Sequence, residues 1–124
     1  MSSREKPDQD VVNFDRALSR VAGDEAMLRE LAQIFLEESP GWLDQIEGAL
    51  ADQDSEGVFR AAHDIKGSTE VFAAESAVQA AKTLEKMGRN DELEDADEAL
   101  GALKAELVWV RNSLEDYLEQ GSAD

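Results

Sequence analysis

A single histidine lies in a segment whose residue types suit phosphoryl chemistry. His63 is the only histidine of the 124 residues and occurs in the run AAHDIKGS, residues 61–68. On a helix, residues three and four positions apart are neighbours, so Lys66 and Gly67 flank the imidazole with a cation and an open space. A neutral imidazole is a good nucleophile that is largely uncharged near neutral pH. The arrangement therefore suits a histidine that accepts a phosphoryl group.

Helical geometry predicts that this histidine faces solvent. At about 100° per residue, one narrow arc of the helix must be the buried stripe, and it contains Val58, Ala62, Ile65, Thr69 and Phe72. His63 lies about 140° from the centre of that arc. The same solvent side carries Glu56, Phe59, Lys66, Gly67 and Glu70.

Two residues are unusual on a solvated helix face. Phe59 is an aromatic one turn before His63, and Gly67 is a glycine in mid-helix, where it costs about 0.5–1 kcal/mol relative to alanine. An exposed apolar group, a reactive group and a gap in one row are typical of a docking surface. Simpler interpretations stay open at this point: a solvated histidine, a Lys66–Glu70 pair and a glycine that relieves a helix crossing.

Composition narrows the possible partners. The chain has 29 acidic and 12 basic residues, a net charge of −17, and no cysteine. Such a surface repels nucleic acid and anionic lipid, and no glycine-rich loop follows a strand to hold a nucleotide. We therefore expect no thiolate metal site, no bound nucleotide cofactor, and a phosphoryl group that arrives from another protein. The lack of a long apolar run and of a signal peptide predicts a cytoplasmic protein, and the strong charge predicts a monomer.

The apolar periodicity predicts an all-α fold. Helices are expected over about 12–21, 24–51, 55–72, 74–87 and 93–118, with Asp24 as an N-cap and Gly88 as a C-cap. Pro40 should kink or split the second helix. Short breaks favour antiparallel neighbours, so we predict an up-down-up-down four-helix bundle with the short first helix capping one end. The expected domain is 12–120, between a loose arm, 1–11, and a tail, 121–124.

At this point the sequence resembles the histidine-containing phosphotransfer (Hpt) domains of two-component phosphorelays. Their H-x-x-K-G motif matches His63, Lys66 and Gly67, followed by Ser68 and preceded by Ala62. Similar surroundings extend over roughly 12–118. They include Phe14-Asp15, Leu18, Gly23-Asp24-Glu25, Leu28, Leu31, Phe35, Glu37-Glu38-Ser39-Pro40 and Leu84-Glu85. The sequence departs from the family at Val71 and Ala73, where asparagine and glycine are common, and at Asp64.

The resemblance implies a mechanism and a set of partners. His63 would accept the phosphoryl group, Lys66 would stabilise its oxygens, and Gly67 would admit the loops of a receiver domain. The partners would be receiver domains of response regulators, or a hybrid histidine kinase, and Mg²⁺ would be held by the receiver. Partner contacts are expected at Phe59, Ala62, Ile65 and Glu70. No autokinase activity is expected.

Two alternatives to a free-standing phosphoryl carrier stay open. The first is a helical binding module that sequesters receiver domains without being phosphorylated. The second is a phosphoacceptor domain detached from a chemotaxis-type kinase.

Overall fold

The computed structural model describes residues 11–122, in which five helices and no strands occur. The helices are α1 (Phe14–Arg20), α2 (Glu25–Ala51), α3 (Ser55–Val71), α4 (Glu75–Arg89) and α5 (Ala96–Ser122). The predicted all-α class is confirmed. Residues 1–10 of the predicted N-terminal arm, and 123 and 124 of the predicted tail, lie outside the described residues. The last helix continues two residues past the predicted domain end at 120.

The four long helices form a closed ring of neighbours. Each of α2 to α5 packs against the next in sequence, and α5 also packs against α2. Contacts between α2 and α5 run in opposite directions along the two helices: Arg29 reaches Leu118, and Glu47 pairs with Lys104. This order is consistent with the predicted up-down-up-down bundle.

The short helix α1 lies against one end of the bundle. The backbone N–H of Asn13, its N-cap, donates to the carbonyl of Phe72 at 3.2 Å. The ring of Phe14 stacks on Tyr117 of α5, with ring centroids 4.8 Å apart. These contacts tie α1 to the end of α3 and to the last turns of α5.

One apolar core runs through the ring, as the helical periods predict. Its largest fully buried side chains include Phe35 and Phe72, whose rings meet edge to face with centroids 5.6 Å apart. On α4 the inward stripe consists of Ala77, Val78, Ala81 and Leu84, all buried. On α5 the buried stripe repeats at steps of three and four residues, namely Ala96, Leu100, Leu103, Leu107, Val110 and Leu114.

Pro40 lies inside α2 without splitting it. A proline has no N–H to donate to the carbonyl four residues earlier, here that of Leu36. Arg111 of α5 supplies the donor instead: its Nη1 lies 2.9 Å from the Leu36 carbonyl oxygen, and it also bonds the hydroxyl of buried Ser39. The helix therefore continues from Glu25 to Ala51, so of the two expected effects of Pro40, a kink or a split, the split is excluded.

Gly88 is a second departure, because it lies within α4 and not at its end. The C-cap is Asn90. A Cβ atom built on Gly88 would lie 2.5 Å from the backbone nitrogen of Phe59 and 2.7 Å from the carbonyl oxygen of Ser55. Helices α3 and α4 therefore cross in backbone contact at this position, which only glycine permits.

The loops between helices contain aspartate N-caps and residues with positive φ. Asp24 and Asp54 each cap a helix by accepting a hydrogen bond from a backbone N–H three residues on. Gln53, Ala73 and Asp91 adopt positive φ in the turns that precede α3, α4 and α5. At Ala73, with φ +50°, an L residue occupies the left-handed conformation that glycine adopts at lower cost.

Candidate functional site

His63 lies on the outer side of α3, at its seam with α4. Its side chain is 59% exposed, which confirms that it faces solvent. The Nδ1 atom is 2.6 Å from Oε2 of Glu85, a residue of α4. Glu85 itself is only 5% exposed, so the imidazole reaches from the surface to a buried carboxylate.

The same carboxylate binds two further cations. Lys66 Nζ lies 3.0 Å from Oε1 and 2.9 Å from Oε2 of Glu85, with only 18% of the lysine side chain exposed. Arg89, one turn after Glu85, places its Nη2 at 3.7 Å from Oε1. Burial alone would raise the pKa of Glu85, but hydrogen bonds from His63 and Lys66, with their charges, outweigh it and lower that pKa. Glu85 is therefore an ionised acceptor at neutral pH.

The ionised carboxylate of Glu85 determines which tautomer His63 adopts. Because Glu85 can only accept, Nδ1 of His63 must carry the proton in their hydrogen bond. The proton-free nitrogen of the neutral ring is then Nε2. Among residues 11–122, no hydrogen-bond partner of Nε2 is found. The site therefore presents an exposed ring nitrogen with a lone pair.

Phe59 forms one wall of the site. Its ring stacks on the imidazole of His63 with centroids 5.9 Å apart and an interplanar angle of 23°. The guanidinium of Arg89 lies over the phenyl ring, 5.3 Å from its centroid. The Phe59 ring is half-buried and contacts both the histidine and the arginine.

The opposite side of His63 is open. A Cβ atom built on Gly67 would meet nothing within 4 Å. A shallow depression beside it lies between α2 and α3, and its walls are Trp42, His63, Asp64, Gly67, Ser68 and Val71. An incoming group can thus approach the imidazole from this side without displacing side chains.

The predicted site residues divide into two groups. His63 and Lys66 meet at Glu85, and Phe59 stacks on His63. Gly67 borders the open side of the histidine, and Glu70 is exposed further along α3. Ala62 and Ile65 have no accessible surface. They belong to the buried stripe of α3, so the prediction that they contact a partner is wrong.

Three residues of the site were not predicted from the sequence. Glu85 carries a signal in retrospect: it follows Val78 and Ala81 by seven and four positions, so an acid interrupts an apolar stripe. Arg89 lies one turn beyond it. Trp42 is half-buried, meets the ring of Phe35 edge to face, and lines the depression.

The described residues hold no group of three or more His, Cys, Asp and Glu side chains placed to bind a metal ion. No helix within 11–122 is long and apolar enough to cross a membrane.

The site thus combines a helical bundle with a solvent-facing histidine that a carboxylate from the next helix orients, an arrangement suited to accept a phosphoryl group. Comparisons with known proteins agree. Residues 30–120 match the family model of the Hpt domain, and the chain belongs to this family. Its function is histidine phosphotransfer in two-component phosphorelays, as predicted.

Two solved structures share the fold. Histidine-containing phosphotransfer protein B (HptB) from Pseudomonas aeruginosa PAO1 is 23% identical, with a TM-score of 0.82 over 94% of this chain and 98% of that chain. The Hpt domain of an Hpt sensor hybrid histidine kinase from Shewanella is 19% identical, with a TM-score of 0.78 over 89% and 95%. No curated protein gives a significant sequence match.

Hpt domains are phosphotransfer carriers and not kinases, and they interact with receiver domains and histidine kinases. This chain is therefore such a carrier.

Proposed function

We propose that Nε2 of His63 carries the phosphoryl group between receiver-domain aspartates. The observation that supports this assignment is the hydrogen bond from Nδ1 to buried Glu85, which leaves Nε2 as the exposed nucleophile. In the forward step the Nε2 lone pair attacks phosphorus and the P–O bond of the receiver's acyl phosphate breaks. The aspartate leaves as a carboxylate. In the reverse step a second receiver's aspartate attacks the phosphorus and the N–P bond breaks.

Lys66 and Gly67 serve this transfer in different ways. Lys66 shares the Glu85 carboxylate with His63, so its ammonium lies on the same seam as the reacting ring. It stabilises the charge on the phosphoryl oxygens during in-line displacement. The open space over Gly67 admits the loops of the receiver.

The remaining chemistry belongs to the partner. In this proposal the receiver holds the Mg²⁺ that neutralises the phosphoryl group, and the carrier has neither a cofactor nor autokinase activity. The carrier acts as a cytoplasmic monomer, with Phe59 and Glu70 among its contacts to the receiver. The Glu85–His63 bond favours this carrier over a module that only sequesters receivers, because sequestration requires no oriented imidazole.

Transfer from a labelled receiver tests the proposal. The wild-type protein, mixed with a receiver phosphorylated on aspartate, should gain an acid-labile label, and His63→Gln should gain none. Glu98→Gln, a change at an exposed position of α5 away from the site, is the control and should be labelled like the wild type. Label that persists in His63→Gln, or an unlabelled wild-type protein that still binds the receiver, would contradict the proposal.

A further inference from the structure

Charge is distributed unevenly between the two halves of the bundle. Helices α2 and α5 together carry twelve acidic and three basic residues. Helices α3 and α4, which form the site, carry five of each. Counted without the loops, the two helices that present His63 are thus formally neutral in a protein of net charge −17.

Three cations of these two helices form a basic strip along α4: Lys82, Lys86 and Arg89. At about 100° per residue their positions fall within an arc of about 60°. All three are exposed, and among the described residues neither Lys82 nor Lys86 forms an ion pair. Two lysines without partners are notable in a chain with so many carboxylates.

The basic strip runs beside the reacting histidine. Arg89 lies over the Phe59 ring, which in turn stacks on His63. Glu85, bonded to His63, is one turn before Arg89. The strip therefore borders the site on the α4 side, whereas the depression over Gly67 borders it on the α2 side.

We propose that the basic strip is the electrostatic part of the docking surface and that it contacts a carboxylate-rich rim around the phosphoacceptor aspartate of a receiver domain. This inference rests on the proposed function, which supplies the partner. From Lys82 to Arg89 the strip is about 10 Å long, which suits a local acidic patch and not an extended polyanion.

The acidic helices α2 and α5 favour one orientation of an approaching acidic partner. Packed helices lie about 8–10 Å apart, comparable to the Debye length of about 8 Å at physiological ionic strength. At contact range the strip acts on the partner while the carboxylates of α2 and α5 are largely screened. An acidic partner that approaches from the α2–α5 side meets repulsion, so productive encounters favour the His63 side.

Charge reversal on the strip tests the inference. The double variant Lys82→Glu/Lys86→Glu is compared with Arg16→Glu/Arg20→Glu on α1, which changes the net charge equally at two other exposed positions. At low salt, the second-order rate constant for phosphoryl transfer from a labelled receiver should be about tenfold lower for the strip variant than for the wild type. The control variant should stay near the wild-type value. High salt should narrow the difference, because it screens exposed charges.

Two further measurements separate this inference from the proposed function. Phosphoramidate, a small phosphodonor, should label His63 equally in all variants, which shows that the nucleophile and fold are intact. Lys82→Glu alone, in mid-helix, should show a smaller loss than the double variant. Equal transfer rates for the strip and control variants would overturn the basic strip as a docking element. Failure of the wild type to accept phosphoryl from any donor would instead overturn the proposed function.

Discussion

Arg111 occupies, at the carbonyl of Leu36, the place of the backbone N–H that Pro40 lacks. The proline lies on α2 and the arginine on α5. A 2.9 Å hydrogen bond from Arg111 Nη1 to the Leu36 oxygen replaces the backbone hydrogen bond that the proline cannot form. A helix that proline would otherwise weaken thus stays continuous because a cation from the neighbouring helix satisfies the carbonyl.

This relationship predicts energetic coupling between the two positions. Arg111→Met should lower the free energy of unfolding by about 1–3 kcal/mol, since it leaves a part-buried carbonyl without its donor. In a Pro40→Ala background the loss should be smaller, because the restored N–H bonds Leu36. Urea unfolding of the double-mutant cycle measures the coupling. Arg29→Met is the matched control: Arg29 donates to the Leu118 carbonyl across the same helix pair, and additivity with Pro40→Ala is expected there.

The crossing of α3 and α4 predicts opposite effects at two glycines. Gly88→Ala places a methyl group against the backbone of Ser55 and Phe59, and should destabilise the fold by about 1–3 kcal/mol or more. Gly67→Ala meets open space in an exposed helix and should stabilise it by about 0.5–1 kcal/mol. Chemical denaturation measures both. A Gly88→Ala protein as stable as the wild type would show that the helices do not touch there.

Glu85 should act as a positioning residue for His63. Glu85→Ala removes the acceptor of the Nδ1 proton, so the imidazole loses its fixed tautomer, and transfer should slow about 10- to 100-fold. Nitrogen NMR of the ring checks the cause: Nδ1 protonation should dominate in the wild type and become mixed in Glu85→Ala. Glu85→Gln, whose amide oxygen can still accept, should retain more activity than Glu85→Ala. Glu92→Ala, an exposed acid in the following loop, should change neither measurement.

Lys66 should matter for transfer more than for folding. Lys66→Ala removes the buried-side cation next to His63 and should slow phosphotransfer about 100-fold, the scale seen when one stabilising group is lost. Lys66→Arg, which keeps the charge, should recover part of the rate. Lys104→Ala breaks an ion pair with Glu47 on another face and serves as the control. A wild-type rate in Lys66→Ala would remove the role assigned to this lysine.

The lowered pKa of Glu85 predicts a contribution to stability that depends on pH. Above the ordinary pKa of 4.5 the carboxylate is charged in both states, and its contacts with His63, Lys66 and Arg89 contribute fully. As the pH falls below 4.5 the unfolded chain binds the proton first, so this contribution is progressively lost. The difference in unfolding free energy between wild type and Glu85→Gln should therefore shrink below pH 4.5. A constant difference across that range would contradict the assigned shift.

The sequence predicted the helices well because each buries a periodic apolar stripe, which is a local signal. It also placed His63 correctly, since the stripe of α3 fixes which side faces solvent. It did not predict that Glu85 reaches His63, because that contact depends on the register between α3 and α4. That register is set where Gly88 lets the two backbones touch, and glycine also marks helix ends, which is why Gly88 was expected to be a C-cap.

The errors at Ala62 and Ile65 have a different cause. Both residues were expected at the edges of an apolar interface around Phe59, although the helical periodicity places them in the buried stripe. On the helix, Ala62 lies about 100° and Ile65 about 160° from His63, and both fall in the core. Residues from α2 and α4, such as Trp42 and Arg89, border the histidine instead.

The fixed orientation of His63 has a consequence for how a signal is stored. A phosphoryl group on Nε2 projects outward, and the Nδ1 hydrogen bond to Glu85 remains available before and after transfer. No buried side chain must move to accommodate it. In the proposed function the signal is therefore stored in the covalent N–P bond, with no rearrangement of the bundle required to hold it.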